Sequence, residues 1–179
     1  MLWSGADIFL RQVLQFGISI ALARLLAPEE FGTIALLYLF VGLAGAFVDS
    51  GFSAALIQRQ DITQTDESTV FWFNLGMATI MAASLWMLAP SIAQFYDSLV
   101  LVPLTGVLAL NLFLGALGSI HGTLLSKRLD FKTQMKIGAI ATSISGGLGI
   151  VMACLGYGVW ALAMQTLGST ALTTALLWY

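Results

Sequence analysis

Residues 137–179 read IGAIATSISGGLGIVMACLGYGVWALAMQTLGSTALTTALLWY, a stretch of 43 residues from Ile137 to Tyr179 with no Asp, Glu, Lys or Arg. A membrane-spanning helix needs about 20 apolar residues, because roughly 30 Å of hydrocarbon is crossed at about 1.5 Å per residue. The stretch is too long for one crossing and suits two, with the break at Gly156-Tyr157-Gly158. Two further windows, Ser68–Tyr96 and Ser98–Ser126, are uncharged and 29 residues long, enough for one span each with its ends. The pattern predicts an all-α fold, a polytopic transmembrane helical bundle of about six spans.

Composition agrees: 59% of the 179 residues are hydrophobic and 9% charged, against about 25% charged in soluble domains. Little chain is left for a soluble domain, so residues 1–179 read as one transmembrane domain. The few cations exclude a basic nucleic-acid surface. Cys154 is the single cysteine and His121 the single histidine, which excludes an internal disulfide and metal sites built on several cysteines. No cofactor is expected. Met1-Leu-Trp-Ser-Gly-Ala-Asp7 lacks the basic region of a cleaved signal peptide, so the first span reads as a permanent anchor. The chain stops at Trp178-Tyr179 without a polar tail, which points to a piece of a longer protein, although an aromatic interface anchor also ends some complete chains.

The predicted helices are Ile8–Leu26, Gly32–Leu56, Val70–Tyr96, Val100–Leu125, Ile137–Leu155 and Val159–Trp178. Ala27-Pro-Glu-Glu-Phe-Gly32 joins the first pair, with Pro28 and Gly32 read as helix breakers. Four of the seven basic residues (Lys127, Arg128, Lys132, Lys136) fall in one link, which the positive-inside rule places in the cytoplasm. Counting spans from there puts both ends of this segment, and the link at Arg59, on the same side. The opposite links carry Glu29, Glu30 and Asp97 but no Lys or Arg.

The spans have faces. Asn111, Gly115, Gly118 and Gly122 recur at helical spacing, Gly42, Gly45, Asp49 and Ser53 form a comparable stripe, and Gln165, Ser169 and Thr173 a third. Small residues let neighbouring backbones approach where lipid supplies no hydrophobic force between helices. These stripes are expected to point at other helices or at a polar cavity.

Several segments resemble, in order and spacing, the polysaccharide-biosynthesis exporters that flip lipid-linked oligosaccharides, members of the multidrug/oligosaccharidyl-lipid/polysaccharide exporter superfamily. They are Ala23-Arg-Leu-Leu-Ala-Pro-Glu-Glu-Phe-Gly32, Asp49-Ser-Gly-Phe-Ser-Ala-Ala-Leu-Ile-Gln-Arg59, Ser68-Thr-Val-Phe-Trp-Phe-Asn-Leu75, Arg128-Leu-Asp-Phe-Lys132 and Gly156-Tyr-Gly-Val-Trp-Ala-Leu162. The resemblance implies two lobes of about six helices around a cavity that opens alternately to either side of a bacterial inner membrane. This chain would supply the N-terminal lobe, with a C-terminal lobe or a second copy as partner. The implied substrate is an oligosaccharide on an undecaprenyl pyrophosphate carrier, in contact with membrane lipids.

Four residues stand out as substrate-binding candidates: Arg24, Asp49, Asn74 and Asn111. Arg24 lies about one turn inside the first span, where a long cation either snorkels to the headgroups or faces a cavity and holds phosphate oxygens bidentately. Asp49 is the one acid well inside an apolar stretch; it either carries a proton during transport or ends the helix by bonding nearby backbone. Asn74 and Asn111 either bond across helices or touch sugar or phosphate. His121 reads as a solvated or headgroup-facing histidine, and the basic link needs only topology and anionic lipid to explain it.

An intramembrane serine protease would need Ser145 and His121 within reach of each other, from different spans, and neither Gly-x-Ser-x-Gly nor His-Glu-x-x-His occurs. The chain therefore does not read as an enzyme. A drug exporter of the same superfamily and a dimeric or non-transporting half-transporter scaffold are the alternatives to oligosaccharide flipping.

Overall fold

The computed structural model describes the backbone of residues 2–49 and 63–179, and the side chains of residues 12–48 and 63–179. Among the described residues there are six helices: α1 Leu2–Leu25, α2 Pro28–Asp49, α3 Gln64–Phe95, α4 Leu101–Lys127, α5 Phe131–Cys154 and α6 Val159–Trp178. The expected all-α bundle is present. Helices α2, α3, α4 and α5 are each long and apolar enough to cross a membrane. The 20 residues of α6 include Gln165 and a run of hydroxyl residues among its apolar ones.

Helix ends differ from expectation where polar residues cap them. Proline suits the first helical position, because its missing N–H would have no intrahelical partner there. α2 accordingly begins at Pro28, and Gly32 lies inside the helix. The Glu30 carboxylate accepts the Ala27 N–H at 2.8 Å, which secures this start. α3 begins at Gln64, six residues before Val70, because Thr63 and Asp66 form a reciprocal capping box. Its 32 residues span about 48 Å at 1.5 Å each, so its polar first turns extend past the hydrocarbon.

The basic link is a tight turn. Lys127 ends α4, while Lys132 and Lys136 are already inside α5. Here Leu129 N–H donates to Ser126 C=O and Asp130 N–H to Leu125 C=O, with Leu129 at φ 57°. Such paired bonds satisfy the last carbonyls of a helix and need a left-handed residue just past its end. The same pair closes α3 at Asp97 (φ 51°) and α5 at Gly156 (φ 80°).

The Asp130 side chain then accepts the Thr133 N–H at 3.2 Å and caps α5. Hydrogen bonding from Thr133, side chain first and backbone second, holds the Asp130 carboxyl below its ordinary value. A depressed folded pKa means a stabilising contribution that is present above the unfolded carboxylate pKa and lost as pH falls through the folded one. The protection of the Thr133 amide, its exchange rate relative to the intrinsic rate at each pH, should accordingly be high at neutral pH and fall under acid. Asp130→Asn, which keeps the acceptor, should remove most of that pH dependence; an Asn variant with the same acid response would contradict the cap.

Packing concentrates at one end. Leu22, Leu26, Ile34, Leu37, Ile92, Leu101, Leu104 and Leu162 form the main buried cluster. They come from the end of the bundle that holds the α1–α2, α3–α4 and α5–α6 turns. α4 packs on α3 and α6, α6 on α5, and α1 chiefly on α5. Close approach on α5 is made by Gly146, where a Cβ would overlap the Ile18 Cδ1 methyl of α1. At the α5–α6 turn, Gly158 caps α6 at φ 58° and ψ −131°, a conformation that favours glycine, with the Glu30 carboxylate lying against it. Large side chains such as Phe16, Trp72, Trp86 and Met87 point outward, as suits a helix surface in contact with lipid.

Candidate functional site

The polar residues of α6 repeat every four positions on two adjacent stripes, Gln165-Ser169-Thr173 and Thr166-Thr170-Thr174. Their placement makes a polar interior below the apolar end. A cavity of about 360 Å³ opens between α1 and α2, lined by Gln15, Ser19, Tyr38, Ser145, Gln165 and Thr166 among others. A second, of about 310 Å³, runs along α6 toward the opposite end, past Ser119, Gln134 and Thr173. A third, also about 310 Å³, lies between α2, α3, α4 and α6 and holds Asn74 and Asn111. Thr170 borders all three, and Ser169 borders the first two. Grouped around these shared residues, the three cavities follow α6 as a polar track.

Among the described residues, no Lys, Arg, His, Asp or Glu lines any of the three cavities. Charge is expensive in a low-dielectric interior, and neutral hydroxyls and amides are the polar groups that can be kept there cheaply. Much of the hydroxyl donor capacity is already used within the protein. Thr166 donates to Leu162 C=O at 3.0 Å and so accepts from the Tyr38 hydroxyl 2.7 Å away. Ser119 donates to Ala116 C=O and Ser145 to Thr142 C=O. These groups keep acceptor lone pairs for a ligand that brings donors.

The glycine stripe of α4 builds the wall opposite α6. A Cβ on Gly118 would lie 2.8 Å from Thr174 Oγ1 and 3.4 Å from its Cα. That contact lets Thr174 donate across helices to Leu114 C=O at 2.9 Å, and Trp178 Nε1 donates to Leu117 C=O one turn on.

Of the four candidate residues, the fold brings two together. Asn74 on α3 is buried, at 3% exposure, and Asn111 on α4 borders the same cavity. Neither Oδ1 has a hydrogen-bond partner among the described residues. Arg24 is exposed in the last turn of α1, at the closed end, away from the three cavities. Asp49 is the final residue of α2, and its side chain lies outside the described residues, as does Ser53. Neighbouring Val48 borders the Asn74 cavity.

His121, expected to be solvated or headgroup-facing, is half-buried: its ring centroid is 4.8 Å from that of Trp178, and its Nδ1 is buried without a partner among the described residues. It faces a small cavity with Glu67 and Phe71, whereas Ser145 faces the cavity between α1 and α2. The fold therefore keeps Ser145 and His121 on separate cavities.

Tyr38, Thr166 and Thr170 were not marked by sequence. The threonines could have been found as a second four-residue stripe; Tyr38 carries no pattern of its own.

Comparison with known proteins gives a consistent picture. Residues 21–179 match the family model described as polysaccharide biosynthesis protein. The chain is 30% identical over 144 residues to the succinoglycan biosynthesis transport protein ExoT of Rhizobium meliloti, covering 80% of this chain and 29% of that protein. It is 36% identical over 100 residues to the teichuronic acid biosynthesis protein TuaB of Bacillus subtilis, covering 56% of this chain and 21% of that one. Identity to the lipopolysaccharide biosynthesis protein WzxC of Escherichia coli is 29% over 122 residues, 68% of this chain and 24% of that protein. The matched stretch is thus between about a fifth and three tenths of each relative's length. No solved structure matches significantly.

Proposed function

Because the chain belongs to the polysaccharide biosynthesis protein family, we propose that this multi-pass membrane protein forms the N-terminal lobe of a two-lobe exporter. The complete protein moves a lipid-linked oligosaccharide across a bacterial inner membrane by alternating access, without covalent chemistry. The observation that carries this reading is the uncharged track along α6, whose hydroxyls and amides match the hydroxyls of a saccharide. A second lobe, or a second copy, supplies the opposite wall.

With Lys127, Arg128, Lys132 and Lys136 on the cytoplasmic side, both ends of the segment are cytoplasmic and the apolar end faces outward. The track then opens toward the cytoplasm, where the substrate is made available. Arg24, exposed in the last turn of α1, is the candidate to receive the carrier's pyrophosphate as it reaches the outer leaflet, and Asp49 is the candidate proton carrier.

Arg24→Glu in the full-length protein replaces a charge-assisted contact by repulsion. Such contacts contribute roughly 1.5–3 kcal/mol, so surface polysaccharide should fall by at least about tenfold while protein level and melting temperature hold. Undiminished export would remove Arg24 from the substrate path.

A further inference from the structure

The branch of the track between α2, α3, α4 and α6 has a chemistry of its own. Asn74 is 3% exposed, and among the described residues neither its Oδ1 nor that of Asn111 has a partner. Buried carboxamides without partners are costly, and more so away from water. Both amides border a cavity of about 310 Å³, roughly ten times the 30 Å³ share of one water and far larger than the tight oxygen cage of a bare metal ion. The hydroxyls of Ser119 and Thr170 add to the polar rim, while Val48 and Leu112 supply apolar wall.

A polar rim with apolar wall suits a sugar ring, whose hydroxyls lie around its edge and whose C–H groups form its faces. The amide oxygens accept from hydroxyls, and an amide turned over offers its NH₂ to the same partners, since sugar hydroxyls both donate and accept. An anion fares otherwise. The amide oxygens repel it, and even with both amides turned it would be stripped of water with no cation among the described lining residues to compensate.

We infer that the Asn74–Asn111 pocket is a subsite for one uncharged sugar ring, and that it turns away sugar acids and phosphate. This rests on the transport reading for the origin of its ligand. It also separates duties within the lobe: sugar recognition at the amides, phosphate elsewhere.

The test uses the full-length protein in lipid nanodiscs, with Ser119→Cys as the single thiol, Cys154→Ser included. The rate of modification by a small neutral methanethiosulfonate is measured with methyl β-glucoside, glucuronate or pyrophosphate present. Methyl β-glucoside should slow the reaction at least threefold, and at equal concentration glucuronate and pyrophosphate should leave it unchanged. Asn74→Ala with Asn111→Ala should abolish the protection. If that pair does not fold, Asn111→Ser, which keeps a small hydroxyl, should weaken protection at an unchanged melting temperature. Protection by either anion equal to that of the glucoside, no protection at all, or protection that survives loss of the amides would each overturn the subsite. A protein that binds methyl β-glucoside yet moves no lipid-linked saccharide would sink the transport reading alone; full transport and full protection without the amides would sink the subsite alone.

Discussion

Ser169→Trp in the full-length protein should abolish polysaccharide export without unfolding the lobe. Ser169 borders both the cavity between α1 and α2 and the cavity running along α6, so one side chain at this point obstructs both. It is half-buried beside open volumes of about 310 and 360 Å³, which gives an indole room to enter without displacing a neighbouring helix. Ser169→Ala removes only a hydroxyl and should retain most activity, which separates obstruction from loss of one contact. Surface polysaccharide and the pool of lipid-linked intermediate report the result: the first disappears and the second accumulates. Normal export by a folded Trp variant would mean that saccharide does not travel along α6.

Gly118→Val tests the wall of that track. Its Cβ would lie 2.8 Å from Thr174 Oγ1, too close to keep, and with Thr174 Cα at 3.4 Å the valine methyls have little room beside it. Either Thr174 turns away or α4 and α6 separate, and in both cases the Thr174 bond to Leu114 C=O is lost. Overpacking of this kind costs typically 1–3 kcal/mol, and a broken interhelical hydrogen bond adds to it. A loss of about 3 kcal/mol is expected in reversible unfolding, with a melting temperature well below the parent protein. Gly122→Val is the control: nothing lies within 4 Å of a Cβ there, so it should be mild. Equal effects at the two positions would show that the glycine stripe is not read by distance to α6.

The contrast between these two glycines shows where sequence reading stops. Uncharged length placed α3 to α6, because the hydrocarbon thickness sets the number of residues in a span. The Asn111-Gly115-Gly118-Gly122 stripe was legible as a packing face, but which glycine touches α6 depends on how two helices cross. Helix ends moved for a different reason: they are decided by single polar side chains outside the apolar windows. Thr63 and Asp66 carry α3 six residues further, and Pro28 starts α2 where a breaker had been expected.

The site was half legible. Asn74 and Asn111 stood out as amides in apolar helices, and the fold places them on one cavity although they are far apart in the chain. Gln165 and Ser169 were visible as a stripe. Tyr38 and Thr170 were not, because their importance comes from meeting other helices rather than from local pattern. Hydropathy alone ranks threonine as nearly neutral, so a run of them in α6 signals neither core nor site.

Translocation itself is the most direct test of the central claim that this lobe lines the path of a lipid-linked oligosaccharide. The purified full-length protein is reconstituted into proteoliposomes carrying a labelled undecaprenyl pyrophosphate-linked oligosaccharide in one leaflet, and the label's access to an impermeant glycosidase is followed. Transfer to the other leaflet that depends on the protein and is blocked by Ser169→Trp is the predicted result. No transfer by folded protein, or transfer unaffected by that substitution, would contradict the account.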